Sequence, residues 1–138
     1  MPDTTVANIH RRESFDVYVG RPGQGREGPW GNPISFGTPC RECGRTHQAT
    51  PDGRVDLLFC FARMFLRRVK DDSAWADRVF TTMKGKRLGC FCAPQPCHGM
   101  IYAAWCDGGA TAVQELLDRW RAKHPHQQSL FQGLPVSR

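Results

Sequence analysis

The sequence lacks any apolar run of about 18 residues, the length a membrane-spanning helix needs, so no bilayer segment and no membrane partner is expected. It also lacks the apolar stretch of a secretion signal. Met1 to Glu13 is polar, and the expected compartment is the cytoplasm. No long block of like charges occurs, so the net charge of +6 is spread over loops and helices rather than gathered in a basic tail. No internal repeat is visible. An even set of cysteines is missing too: there are seven, and without a secretion signal a disulfide framework is not expected. Their clustering points to metal ligands or reactive thiols. What remains is a basic chain of 138 residues, 40% hydrophobic and 10% aromatic, enough for one domain with one core. The basic balance favours a polyanionic partner, a nucleotide or a nucleic acid.

The expected organisation is a flexible lead over 1–14, a single α/β domain over 15–124 with a zinc-knuckle insertion at about 38–60, and a flexible tail over 125–138. Phe15 to Val19 is β-branched and aromatic, a buried-strand pattern. A glycine-rich loop follows, from Gly20 to Gly31. From Arg54 to Lys70, Val55, Leu58, Phe59, Ala62, Phe65, Leu66 and Val69 recur at helical spacing. Asp72 or Ser73 can cap a second helix running to about Met83. Arg87 to Cys92 reads as a second strand. Cys97-His98 opens a third helix to about Cys106, Asp107-Gly108-Gly109 ends it, and Thr111 to Lys123 forms a fourth. Strands alternating with helices imply a small layered sheet with flanking helices. In open sheets of this kind ligands bind past the strand C-termini.

Cys40-Arg-Glu-Cys43-Gly44-Arg-Thr-His47 is a C-x-x-C-G knuckle followed by a histidine. Two thiolates three positions apart can grip one tetrahedral ion, and glycine lets the turn tighten beneath it. Cys60, from the first turns of the long helix, is the expected fourth ligand of a structural zinc site; the alternative is a buried core residue. Zinc base deaminases also carry P-C-x-x-C, as Pro39 to Cys43 does. They require H-x-E or C-x-E upstream, and only His10-Arg-Arg-Glu13 stands there, with the wrong spacing. A deaminase is not expected.

A second cluster comprises Cys90, Cys92, Cys97 and His98. In a strand, Cys90 and Cys92 would share a face, while Cys97 and His98 would sit at a helix start, where the macrodipole favours anions and lowers a thiol pKa. A second metal, a ligand or reaction site, and simple packing all fit. The glycine-rich loop carries Arg21 and Arg26. It is not a P-loop, because no G-K-[ST] follows, nor a dinucleotide fingerprint, because no helix opens after it. It can wrap a phosphate or remain a surface loop. Trp30, before Gly31-Asn32-Pro33, either stacks on a base or plugs the core.

Three segments together, Val17 to Arg21, Trp30 to Pro33 and Gly85 to Gly99, resemble the domain-of-unknown-function family 4326 of phages and bacteria, over about residues 15–106. The family has tryptophan where Phe91 stands, and the Cys40–His47 knuckle resembles an insertion carried by some members. The resemblance implies a fold, a site and a phage or bacterial cytoplasm, but no reaction.

Two readings from different classes follow. One is an enzyme acting on a nucleotide or a DNA base, with Cys92, Cys97 and His98 carrying the chemistry and Arg21, Arg26, Trp30 and Asn32 binding the ligand. The other is a non-catalytic, zinc-stabilised module that binds nucleic acid or a host protein. The tail adds a partner. Gln127, Ser129, Leu130 and Phe131 match the pentapeptide by which bacterial replication proteins dock on the sliding clamp, with Gln128 in place of the usual leucine. Leu130 and Phe131 could instead fold back onto the domain.

Overall fold

A computed structural model describes residues 3–125. Three short strands form one parallel sheet: β1 (Thr5–Asn8), β2 (Val17–Tyr18) and β3 (Arg87–Cys90), in the spatial order β1-β3-β2. The helices are α1 (Pro51–Asp71), α2 (Ser73–Met83) and α3 (His98–Lys123). The architecture is the expected α/β layer with flanking helices. Helix α3 packs on β1 and β3, and α1, α2 and α3 pack on one another.

The caps follow from the residues. Thr50 accepts a hydrogen bond from the Gly53 amide and Pro51 opens α1; Asp72 does the same for α2 by accepting from Trp75. Helix α3 is broken at Gly109, whose φ of 70° is left-handed, so the two expected helices run on as one kinked element. The apolar stripe of α1 buries Val55, Leu58, Ala62 and Phe65 against Ile101, Tyr102, Val113 and Leu117 in the common core.

Two expectations are corrected. The lead is part of the fold: β1 lies in it, and buried Thr4 is bound to Asp107 through its amide at 2.9 Å and its hydroxyl at 2.8 Å. Lys84 pairs with the same carboxylate at 2.8 Å. A polar segment with only Val6 and Ala7 to bury gives little periodic signal, yet a sheet edge can hold it through backbone bonds. The strand expected from Phe15 is also shorter than its pattern suggests. Only Val17 and Tyr18 pair with β3, while Phe15 turns across the sheet to cover Gly89.

A Cβ on Gly89 would lie 2.6 Å from the Phe15 ring. Gly89→Ala should therefore destabilise the protein by about 1–3 kcal/mol, as overpacking does. Urea denaturation checks this. A midpoint equal to wild type would mean that Phe15 moves aside freely.

Candidate functional site

The first cluster closes as its spacing predicts. The Pro39–Thr46 bridge and the bonds from the Cys40 amide to the Arg45 carbonyl and from the Gly44 amide to the Cys40 carbonyl, each 2.8 Å, fold the knuckle. Gly44 adopts a φ of 80°, which a side chain would disfavour. One ligand atom each from Cys40, Cys43, His47 and Cys60 lies within 4.8 Å of all the others. Cys40, His47 and Cys60 are buried and Cys43 is exposed. Such a set could hold a metal ion, with no position left over for substrate.

The surroundings of Cys40 and His47 suit that role, whereas burial of Cys60 opposes its thiolate until an ion binds. Burial would raise the Cys40 thiol, but the Cys43 and Glu42 amides directed at its sulfur hold it below its ordinary value. Burial pushes Cys60 up to about 12 and holds the His47 imidazole below its ordinary value, a shift toward the neutral form a ligand imidazole needs. Glu42 joins the knuckle to α1 by an ion pair with Arg67 at 2.6 Å and a looser one with Arg63 at 3.7 Å.

The second cluster does not gather as a four-ligand set; among the described residues only the first does. Strand β3 ends at Cys90, so Cys92 lies beyond it and does not share its strand face. The Cys92 sulfur instead accepts from Arg54 at 3.4 Å. Cys90 and Cys97, both buried, place their sulfurs 3.4 Å apart. Cys97 is the residue capping α3, yet its thiol is held well above its ordinary value, by donating to Cys90 and by burial. The helix start therefore does not lower Cys97 as expected. Cys90 is lowered instead, to about 6, because the Cys97 thiol and the Ala93 and Cys92 amides donate to it against the opposing effect of burial. Burial lowers the His98 pKa below its ordinary value, and its Nε2 donates to the Val19 carbonyl at 2.6 Å.

The glycine-rich loop and the start of α3 do meet. Both line one cavity of about 600 Å³ at the C-terminal edge of the sheet. Arg21, Arg26, Asn32, Cys92, Cys97 and His98 all reach its wall. Trp30 does not: it is buried against Trp75 and Tyr102, and its carbonyl accepts from the Tyr102 hydroxyl at 3.0 Å. It plugs the core. Asn32 is buried, and its Oδ1 accepts from the Ile34 amide at 2.8 Å. Arg21 spends Nε on the Asn32 carbonyl at 2.9 Å and one terminal nitrogen on the Ile34 carbonyl at 2.7 Å, so it latches the loop. Arg26 stands over the Tyr18 ring.

Several wall residues were missed by the sequence reading. Arg54 interrupts the apolar stripe of α1 four residues before Leu58, and Leu57 and Leu58 line the cavity with it. A charge on an apolar helical face was the available signal. Phe91, exposed beyond β3, touches the His10 ring at a centroid distance of 4.7 Å and the Tyr18 ring at 6.1 Å. Nothing in the local pattern brings these three rings together.

The profile of a family described as a domain of unknown function, DUF4326, matches residues 5–108. The chain belongs to this family. It is also 42% identical, over 96 residues, to an Enterobacteria phage T4 protein described as an uncharacterized 12.4 kDa protein in the nrdA-td intergenic region. That alignment takes in 70% of this chain and 62% of the phage protein's length. No solved structure matches the chain. The DUF4326 match begins inside the segment that contributes β1, in keeping with the sheet.

The metal set predicts a strong coupling of stability to one ligand. Cys43→Ser, at an exposed position with little packing to lose, should lower the thermal midpoint of metal-loaded protein by on the order of 10 °C, the shift expected for roughly 3 kcal/mol at this size. A chelator should lower wild type similarly and leave the variant nearly unchanged. A midpoint unmoved by both would show that the four residues hold no ion.

Proposed function

We propose that this DUF4326 protein binds and acts on a nucleotide or a DNA base in the cavity at the sheet edge, and that its knuckle carries structural zinc. The observation that carries the reading is the composition of the cavity wall. Three guanidinium-bearing residues, Arg21, Arg26 and Arg54, line it, and among the described residues no carboxylate does. Tyr18, Phe36 and Phe91 add aromatic surface. Guanidinium groups recognise phosphate, and exposed rings stack on bases. A volume of about 600 Å³ suits a small molecule of that class.

The roles divide by what each side chain has left to offer. Arg54 and Arg26 are the phosphate contacts, since Arg21 is largely spent on the loop. Phe91 is the stacking surface. Cys92, half-buried on the wall with Arg54 beside its sulfur, is the thiol best placed to meet a ligand. Cys97 and His98 build the floor, and His98 positions the Gly20 turn through the Val19 carbonyl. The metal enters indirectly. His47 accepts at its carbonyl from the Gly37 amide at 3.1 Å, next to Phe36 of the cavity wall, and α1 carries both Cys60 and Arg54. A thiolate-rich four-residue set favours zinc among common ions.

Calorimetric titration of the zinc-loaded chain with deoxynucleoside mono- and triphosphates and short single-stranded DNA tests this, with inorganic phosphate as control. Binding should weaken as salt rises, and Arg54→Ala should weaken it roughly tenfold or more. No heat at millimolar nucleotide, or equal affinity in Arg54→Ala, would overturn the reading.

The sliding clamp is the proposed protein partner. The matching residues Gln127, Ser129, Leu130 and Phe131 lie outside the described residues, so support comes from the motif and from the basic charge of the chain. Purified bacterial clamp should retain the wild-type chain on a column. The double substitution Leu130→Ala and Phe131→Ala should abolish retention at an unchanged melting temperature; a lowered melting temperature with no clamp binding would make the tail structural.

A further inference from the structure

One pair of thiols has no chemical part in either the metal set or the nucleotide reading, where Cys97 serves only as floor. Cys90, at the end of β3, and Cys97, at the cap of α3, stand sulfur to sulfur at 3.4 Å. Both are only 2% exposed, yet both contribute to the cavity wall. Cys92, between them in sequence, is turned to Arg54 and is not part of the pair. Cys106 is buried in the core with Val113 and Leu117.

We infer that Cys90 and Cys97 form a redox-active dithiol that small hydroperoxides entering the cavity oxidise to an intramolecular disulfide. The two sulfurs are already neighbours, and a bond needs them to close to about 2.05 Å. They sit on the end of a strand and the start of a helix, where the core meets the cavity, so the change falls on two side chains and on the intervening loop. That loop, from Phe91 to Pro96, carries Phe91 and Cys92. Closing the bond tethers both ends of the loop that forms one wall of the cavity.

The step balances with hydrogen peroxide as the oxidant. The Cys90 thiolate attacks one peroxide oxygen, the O–O bond breaks, and the leaving hydroxide takes a proton to become water. The sulfenic acid so formed is attacked by the Cys97 sulfur. The S–O bond breaks, the S–S bond forms, and a second water leaves with the Cys97 proton. Two thiols give up two electrons and the peroxide is reduced to two waters. A dithiol reductant reverses the bond by exchange.

The pair does not depend on what the cavity binds, so its test is independent of the nucleotide reading. Full-length, metal-loaded protein is treated with stepwise hydrogen peroxide, remaining thiols are alkylated, and proteolytic peptides are mapped by mass spectrometry. A Cys90–Cys97 bond should form before metal is released, and dithiothreitol should restore both thiols. Cys92→Ser should leave the bond intact, and Cys97→Ser should remove it and leave Cys90 as a sulfenic acid trapped by a dimedone probe. If Cys97→Ser does not fold, wild type and Cys92→Ser decide alone. Oxidation that reaches the knuckle thiols first, a bond to Cys92, or no bond under peroxide would each overturn the inference.

Discussion

The pairing of β3 between β1 and β2 is the constraint on which the molecule depends. All three strands are parallel, so all three end on the same edge. Each is followed at once by a segment that builds the cavity: His10 after β1, Gly20 and the arginine loop after β2, and Phe91 with Cys92 after β3. Antiparallel pairing would send one of these to the opposite end. Strands of two to four residues bury too little to hold themselves, and the helices supply the core that keeps them in register.

Helix α1 couples the two sites. Its first turns carry Arg54, Leu57 and Leu58 toward the cavity and Cys60 toward the knuckle. A metal ion held by Cys60 and the knuckle would fix the outer face of the same turns whose inner face lines the cavity. The Gly37–His47 backbone bond carries this constraint to Phe36. The knuckle and the cavity wall are thus neighbours through one helix and one hydrogen bond.

The thiols illustrate how position divides a residue type. Three cysteines, Cys40, Cys43 and Cys60, converge with His47 at the knuckle, whereas Cys90 and Cys97 face each other and Cys92 faces Arg54. In sequence the second group fits a metal set, a ligand or reaction site, or simple packing. In space its four members divide among three separate contacts, and a metal needs them to point at one place.

Much was legible before folding. Local rules suffice for a knuckle, since Cys40, Cys43 and His47 are within seven positions of one another and the glycine turn between them has few alternatives. Helices announce themselves by apolar period and caps, so α1 and α2 and the break at Gly109 were readable to within a turn. Tertiary structure alone decided the rest. Whether Thr5 to Asn8 joined a sheet depended on an open edge of β3 and on Asp107, about a hundred positions away. Whether Cys97 became an activated thiol or a buried partner depended on what stood opposite it. The meeting of Phe91, His10 and Tyr18 around one opening has no local signal at all. Backbone propensity and periodicity act over a few residues, whereas pairing, burial and the closing of a cavity are set by which distant segments reach the same place.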